Sequence, residues 1–307
     1  QSVGGAMARE GRGSIVNVSS IYGLLSPVQD LYDFRRERGE AVLFDPAMLR
    51  APVLRGGLTA FFFQYLVQAG LFFSVPLFLS VALGLTAIAT GVRLLPLSIT
   101  LLLAAVGIPR FAPTASPRLV VRAGFAALFV GLVIMIALLD VGAGPEIVTW
   151  PMLLAGLGIG ALASQLGSVT VSSVPDEQSG EVGGLQNTLS NLGASVGTAL
   201  AGALLMSALT TSFFTGIAGN PDVPPEVTAQ AQTELSSGIP FVSDADLDEA
   251  LEDAGVPEDT AQAVIDENEQ ARINGLRAAL AVLALLALVA FGAASSIPTR
   301  QPAVTPE

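Results

Sequence analysis

Uncharged polar side chains interrupt the apolar stretches of this sequence at positions where they could bind a polar group. Gln64 and Gln68 lie four residues apart, with Tyr65 between them, in a stretch that carries no charge. Residues four apart share one face of a helix, so the two amides would form a polar stripe. The stripe would either line a cavity and hydrogen-bond a bound molecule, or hydrogen-bond a neighbouring helix. The sequence leaves both roles open.

Later apolar stretches carry a second set of amides. Gln165 lies in one stretch, and Asn187 and Asn191 lie one helical turn apart in the next. We take all of these side chains as candidates for lining a substrate cavity. For the two asparagines, helix packing is the stronger alternative, because Gly193 and Gly197 follow at the four-residue spacing of closely packed membrane helices.

Catalytic and metal chemistry lack the usual side chains here. The chain has no Cys and no His, which removes the thiolate and imidazole ligands. The run Asp244, Asp246 and Asp248 does not fit a calcium loop, since Glu249 and Gly255 occupy the places that require Gly and a bidentate acid. We therefore predict no catalytic residue, no metal and no cofactor.

The elements that must position these amides are membrane-spanning helices. Hydrophobic residues make up 51% of the 307 positions and charged residues 13%, and the mean hydropathy is +0.64. A helix of about 20 apolar residues spans a bilayer core. We predict an all-α integral membrane protein in contact with the lipid bilayer, with spans at 58–80, 91–108, 119–139, 148–174, 182–213 and 276–294.

The remaining segments are polar. Residues 41–57 read as a linker before the first span, residues 214–271 as an acidic insert, and residues 298–307 as a tail. Within the insert, Ser243 is a good helix N-cap and the Gly255–Pro257 segment is a break, so we expect two short acidic helices that form a small cap. The insert carries many acids and no Arg, and the net charge of −12 argues against a nucleic-acid partner.

Arginines give the predicted orientation. All 14 basic residues are Arg, and positive residues collect on the cytoplasmic side of membrane proteins. Placing the segment before the first span inside groups most of them there: Arg35, Arg36, Arg38, Arg50, Arg55, Arg110, Arg118, Arg122 and Arg300. We therefore expect a multi-pass plasma-membrane protein with both termini in the cytoplasm and the acidic insert on the outer side.

Several longer strings carry a family resemblance from about residue 44 onward. They are FDPAMLR before the first span, LFLSVALGLTAIATGVRLLPLS across the first outer turn, and SSVPDEQSGEVGGLQNTLSNLGASVGTALAGALL through an inner turn into the fifth span. In these strings the chain resembles the C-terminal half of the fourteen-span drug/proton antiporter branch of the major facilitator superfamily. The resemblance implies a six-helix half of that fold, with spans one to three related to spans four to six by an inverted repeat.

The resemblance also implies a function. It indicates multidrug-efflux-like export of small amphipathic compounds, in which this half rocks against an N-terminal half or a homodimer partner. No Asp or Glu lies near the middle of any span, so a proton-coupling carboxylate would belong to the N-terminal half. Arg110, Arg118 and Arg122 match a basic inner-loop motif whose role would be a latch between helix ends, or else only the Arg bias of an inner loop.

Residues 1–40 differ in character. The string GRGSIVNVSSIYGLLSPVQDLYDFRRERGE resembles the middle of a short-chain dehydrogenase, with Ser20 at the catalytic serine. Such enzymes need a Tyr with a Lys four residues later, and here Tyr32 is followed by Arg36, which cannot replace that Lys. We expect a fragment without enzymatic activity. The alternatives to a transporter half are a non-transporting membrane remnant and, less favoured, an NAD(P)-dependent oxidoreductase.

Overall fold

The structure is a computed structural model that describes residues 46–174, 178–234 and 241–299. The dehydrogenase-like segment 1–40 and most of the 298–307 tail lie outside the described residues. Throughout the described part the chain is helical, without a β-strand. This confirms the all-α prediction.

Six long helices are each apolar enough to cross a membrane, which confirms the prediction of six spans. They lie along the chain as α1 (Pro52–Leu77), α2 (Ala87–Phe111), α3 (Pro117–Leu138), α4 (Thr149–Val171), α5 (Ser179–Gly219) and α8 (Glu258–Ala293). Two short helices, α6 (Pro225–Glu234) and α7 (Asp244–Asp253), lie between α5 and α8. A π-helical turn at Phe78–Ala82 extends α1, and 3₁₀ turns at Pro46–Arg50, Pro145–Val148 and Ala294–Ser296 flank α1, α4 and α8.

Close helix crossings occur where glycines remove the side chain. On α5, a Cβ at Gly193 or Gly197 would collide with the carbonyl oxygens of Phe62 and Leu66 on α1. On α4, Gly156 and Gly160 meet the carbonyl oxygens of Leu97 and Leu101 on α2 in the same way. Small residues at four-residue spacing let the two backbones touch, as the sequence predicted.

These crossings fix the order of the bundle. Helix α1 packs along α5, while α4 packs along α2 and α3. Gly124 of α3 and Gly158 of α4 face each other at the second of these contacts. Helix α1 of the first three spans thus packs on α5 of the second three, and α4 of the second three packs on α2 of the first three. A three-plus-three repeat produces this arrangement.

The two ends of the bundle differ in charge. We call the end at which α1 and α3 begin the arginine end, since Arg50, Arg55, Arg110, Arg118 and Arg122 lie there. At the other end, which we call the acidic end, α6, α7 and the first turns of α8 carry most of the described carboxylates. Arg277 ties α8 to the end of α3 there by donating a hydrogen bond to the carbonyl oxygen of Leu139.

The polar insert is built differently from the expectation of two short helices. The first is present: α7 begins after Ser243, whose hydroxyl accepts from the backbone N–H of Asp246 at 3.2 Å, and ends near Gly255, which has a φ of +69°. The second is wrong as a separate element, because the helix that starts at Glu258 continues without a break into the sixth span.

Packing explains this continuation. Helix α5 also runs past its expected end, to Gly219, and Leu209, Phe213 and Ile217 on it form a second apolar cluster with Val264 and Ala271 of α8. At 41 residues, α5 is about 60 Å long, twice the thickness of a bilayer core. The extensions of α5 and α8 therefore stabilise each other beyond the part of the bundle that matches a membrane.

Candidate functional site

The amides of α1 lie on the face that meets α4. Gly57 of α1 packs against the methyl group of Thr170 on α4. Gln64 and Gln68 follow at seven and eleven residues, close to whole numbers of helical turns, so they continue the same face. Gln64 is 3% exposed and Gln68 is half-buried.

The side-chain oxygens of these two amides are buried without a donor. Neither Gln64 Oε1 nor Gln68 Oε1 has a hydrogen-bond partner among the described residues. A buried acceptor left unpaired costs on the order of 1–3 kcal/mol. The arrangement can therefore accept a hydrogen bond from a polar group that enters between α1 and α4.

Tyr65 points elsewhere. Its ring stacks on Phe61 one turn earlier, with centroids 6.1 Å apart and planes 7° from parallel. It is partly buried, as is Phe61. The sequence grouped Tyr65 with the two glutamines, and the structure places it beside them but on a neighbouring strip of α1.

Gln165 lies on a different face of α4 from Thr170. It follows Gly158 by seven residues, and Gly158 packs on α3, so Gln165 faces α3. The side chain is 3% exposed and its Oε1 has no partner in the described part of the chain. The structure therefore does not bring Gln165 to the contact between α1 and α4, where Gln64 and Gln68 lie.

A polar contact that the sequence did not single out joins three helices at the arginine end. Gln186 of α5 donates to the hydroxyl of Thr170 and, at 3.3 Å, to the carbonyl oxygen of Gly167 on α4. Since Thr170 also fills the gap left by Gly57 of α1, the contact ties α1, α4 and α5 together. A lone Thr at a helix end gives no sequence signal for this role.

Asn187 and Asn191 are exposed on the outside of α5. The Asn191 amide donates to the backbone oxygen of Asn187 at 2.8 Å and to its side-chain oxygen at 3.2 Å. Ser195 and Thr198 continue the same strip at helical spacing and are also exposed. We call Asn187, Asn191, Ser195 and Thr198 the α5 polar stripe. Ser195 and Thr198 were missed, although a helical projection of the sequence would place them in line.

Two of the three inner-loop arginines contact the end of α8. Arg118 Nε donates to the carbonyl oxygen of Ile297 at 2.6 Å, and its backbone N–H donates to Pro298 at 3.2 Å. The guanidinium of Arg122 lies over the ring of Phe291, 4.3 Å from its centroid. Arg110 is exposed at the end of α2. The structure thus joins Arg118 and Arg122 at one helix junction and leaves Arg110 apart.

A buried arginine holds the insert against α8. Arg272 is 2% exposed, pairs with the carboxylate of Asp244, and donates to the carbonyl oxygen of Val242 at 2.8 Å. The pair fastens the start of α7 and the residues before it to α8. Nothing in the sequence indicated this pair, because a contact across 28 positions leaves no local pattern.

Comparison with protein families identifies the family of this six-helix membrane bundle. Residues 15–198 match the Major Facilitator Superfamily. The chain belongs to this superfamily. It is a family of transporters and not of enzymes, as the sequence indicated.

Curated relatives carry names of the same kind. The chain is 24% identical over 288 residues to the multidrug efflux pump LfrA of Mycolicibacterium smegmatis, covering 92% of this chain and 53% of that protein. It is 31% identical over 181 residues to the tetracenomycin C resistance and export protein of Streptomyces glaucescens, covering 57% of this chain and 32% of that protein. A probable actinorhodin transporter of Streptomyces coelicolor is 25% identical over 183 residues, covering 58% and 32%.

Two facts follow from these alignments. The chain spans about half the length of LfrA and about a third of the other two relatives. The superfamily match also begins at residue 15, inside the segment that resembles a dehydrogenase. The comparisons give that dehydrogenase resemblance no support.

Proposed function

We propose that the chain forms one six-helix wall of an exporter of small amphipathic compounds, and that it works with a second six-helix unit. That unit is an N-terminal half or a second copy of this chain. The two units would rock against each other around a cavity at the membrane midplane. The names of the curated relatives, which include an efflux pump and an antibiotic export protein, support this class of cargo.

The α5 polar stripe is the observation that carries the proposal. Its four side chains are exposed on a helix whose other face packs on α1 through Gly193 and Gly197. Amides and hydroxyls are unfavourable against lipid hydrocarbon, so such residues face protein or a water-filled cavity. A second unit or a substrate cavity on this side of α5 removes that cost.

The spans are buried to different extents, and this also supports a partner unit on the side of α5. In the most apolar windows of the spans, 56% of α4 is buried, against 17% of α2 and 28% of α5. On α2 the exposed residues Ile88, Val92, Leu95 and Ile99 recur at three- and four-residue spacing, which makes one continuous apolar face. A partner unit that covers α2 and α5 would leave α3 and α8 toward the lipid.

Substrate contacts are assigned to two places. Gln64 and Gln68 accept hydrogen bonds between α1 and α4, with Tyr65 beside them, while Asn187 and Asn191 offer amides on the open face of α5. Gln165 is a third, weaker candidate because it faces α3. Export would begin when a cargo satisfies the unpaired amide oxygens and would end when movement of the helices removes those contacts.

Arg118 and Arg122 act as the latch in this proposal. Their contacts hold the start of α3 to the end of α8, so the half moves as a rigid unit while the junction is closed. Arg110, exposed at the end of α2, would make its contact with the second unit. We place the arginine end in the cytoplasm and the protein in the plasma membrane, because basic residues favour the cytoplasmic side.

Efflux of rhodamine 6G from cells that lack their own exporters tests the function. The chain is expressed alone, and also as a chimera in which it replaces the aligned half of LfrA. We expect efflux from the chimera, reduced at least fivefold by Asn191→Leu and unchanged by Thr188→Val. The Thr188 hydroxyl already bonds to the Gly184 carbonyl oxygen at 2.9 Å, which makes this variant a matched control.

Two results would count against the proposal. One is a chimera that inserts into the membrane in normal amounts and moves no dye, which favours a non-transporting membrane protein. The other is an equal loss in the Asn191 and Thr188 variants, which would remove the special role of the α5 polar stripe. Efflux by the chain alone would identify the second unit as another copy of this chain.

A further inference from the structure

A groove of about 590 Å³ runs along the seam between α5 and α8 near the acidic end, with several polar side chains in a mostly apolar lining. It lies beyond the α5 polar stripe along α5, at the level where that helix extends past the core of the bundle. Its lining changes character along its length. Leu204, Ala208 and Ala278 line one end, Asn274 and Gln270 the middle, and Glu267 the other end.

The membrane boundary falls within this groove. From Ala278 to Ala294, α8 carries no charged residue, whereas the turns before Ala278 carry several. The apolar end of the groove is therefore at the edge of the hydrocarbon. Glu267 lies eleven residues further along α8, about 16 Å away, at the level of lipid headgroups.

Glu267 is held in place by a hydrogen bond and by close packing. Its Oε1 accepts from the side-chain amide of Asn220 at 3.0 Å, and its Oε2 lies against Gly216, where no Cβ would fit. The described residues place no arginine in ion-pair contact with it, since Arg272 pairs with Asp244. A half-buried carboxylate with one neutral donor attracts a cation that can also donate hydrogen bonds.

The middle of the groove offers donors. Asn274 uses one N–H on the Ser212 hydroxyl at 2.8 Å, and Gln270 uses one on the Asn274 side-chain oxygen at 3.2 Å. Each amide has a second N–H, and Ser212 can still donate its own hydroxyl hydrogen. In contrast, Thr211 and Thr215 donate to backbone oxygens of α5 at 2.9 and 2.7 Å.

We propose that this groove binds one aminophospholipid, with a primary ammonium headgroup of the phosphatidylethanolamine type. The order of the lining matches the order of the lipid: acyl chain at Leu204, Ala208 and Ala278, phosphate at the amides, and ammonium at Glu267. The ammonium N–H groups donate to the free carboxylate lone pairs, and the phosphate oxygens accept from Asn274 and Gln270. A choline headgroup has no N–H to donate and fits the Glu267 end poorly.

Thermal unfolding of the purified full chain in detergent tests this site. Dioleoyl phosphatidylethanolamine, phosphatidylcholine and phosphatidylglycerol are added at equal concentration. We expect phosphatidylethanolamine to raise Tm by several degrees more than phosphatidylcholine does, and phosphatidylglycerol to give no gain over phosphatidylcholine. Glu267→Gln keeps the Asn220 contact and removes the charge, so it should abolish the difference between the first two lipids.

A control and a second variant make the test specific. Glu258→Gln removes the same charge from an exposed position at the start of α8 and should preserve the lipid preference. Ser207→Trp changes an exposed residue of the lining, so it should fill the groove without disturbing the fold, and it should also abolish the preference.

Three results would overturn the assignment. The first is an equal Tm gain with phosphatidylethanolamine and phosphatidylcholine. The second is a preference that survives both Glu267→Gln and Ser207→Trp, which puts the lipid elsewhere. The third is a Glu267-dependent gain with tetraphenylphosphonium and none with phosphatidylethanolamine, which makes the groove a site for cationic solutes. None of these outcomes depends on whether the chain exports dye.

Discussion

Arg118 Nε donates a 2.6 Å hydrogen bond to the carbonyl oxygen of Ile297, across 179 positions of sequence. The acceptor lies just past the 3₁₀ turn that ends α8, where backbone carbonyl groups lack helical partners. A positive side chain at this place also complements the negative end of the helix dipole. One contact thus joins the beginning of α3 to the end of the last span.

Replacement of Arg118 distinguishes two roles for this residue: a latch between helix ends, or a positive charge that only sets the membrane orientation. Arg118→Lys keeps the positive charge but loses the planar guanidinium and its Nε–H donor, so we expect a loss of about 1–2 kcal/mol in stability with unchanged membrane orientation. The measurement is Tm in detergent. Arg110→Lys, at an exposed position, serves as the control and should change nothing; equal Tm values for both variants would leave Arg118 with only its topological role.

Two glycines of α5 should respond in opposite directions to the same substitution. Gly197→Ala places a methyl group against the Leu66 carbonyl, so the α1–α5 crossing must open, at a cost of about 1–3 kcal/mol. Gly183→Ala meets nothing within 4 Å and should leave stability unchanged or raise it by about 0.5–1 kcal/mol, through a better helix propensity. Chemical denaturation of both variants in mixed micelles checks this, and a common sign would contradict the crossing geometry.

Gln64 and Gln68 should matter for transport more than for stability. Because each Oε1 is unpaired, the double variant Gln64→Leu, Gln68→Leu removes a desolvation penalty, and we expect Tm to hold or rise while efflux by the LfrA chimera falls at least tenfold. If the amides instead bridge helices, Tm falls. Gln165→Leu, on the face of α4 that meets α3, is the comparator. Because Gln165 lies away from the α1–α4 contact, this variant should lower efflux much less than the double variant does.

Orientation can be measured directly because the chain has no cysteine. Single Cys residues at the exposed positions Thr114, at the arginine end, and Asp248, on α7, give unique labelling sites. We expect a membrane-impermeant maleimide to label intact cells only at position 248, and position 114 only after permeabilisation. The reverse pattern would place the arginine end outside and contradict the Arg distribution.

The buried Arg272 should control the docking of α7. Asp244→Ala removes the paired carboxylate from a buried guanidinium, which typically costs about 3–5 kcal/mol. The cost is smaller here because Asp244 is itself one-third exposed and because the Glu269 carboxylate also interacts with Arg272. We expect hydrogen exchange to accelerate through Asp244–Asp253 and to stay slow in α3. Asp248→Ala, on the same short helix and outside the ion pair, is the control, and equal exchange in both variants would deny the pair this role.

Part of the site follows from local sequence and part does not. The amides at positions 64 and 68 and the glycine pairs are periodic features, so a helical projection places them correctly. The direction in which Asn187 and Asn191 point depends on the rotation of α5. Gly193 and Gly197 set that rotation by docking on α1, and so turn the asparagines outward. Gln165 faces α3 for the same reason, since Gly158 decides which side of α4 packs there.

By itself, the sequence determined that the chain is an all-α membrane protein with six spans. The reason is that an apolar stretch of sufficient length can satisfy its backbone in lipid only as a helix. It also determined the cap at Ser243 and the closeness of the glycine crossings, which are local. Tertiary structure alone decided where α5 ends and where α8 begins, because both extensions are helical through the mutual burial of Ile217 and Val264. It alone joined Arg118 to Ile297 and Arg272 to Asp244, because such pairs form only when helices distant in sequence have packed.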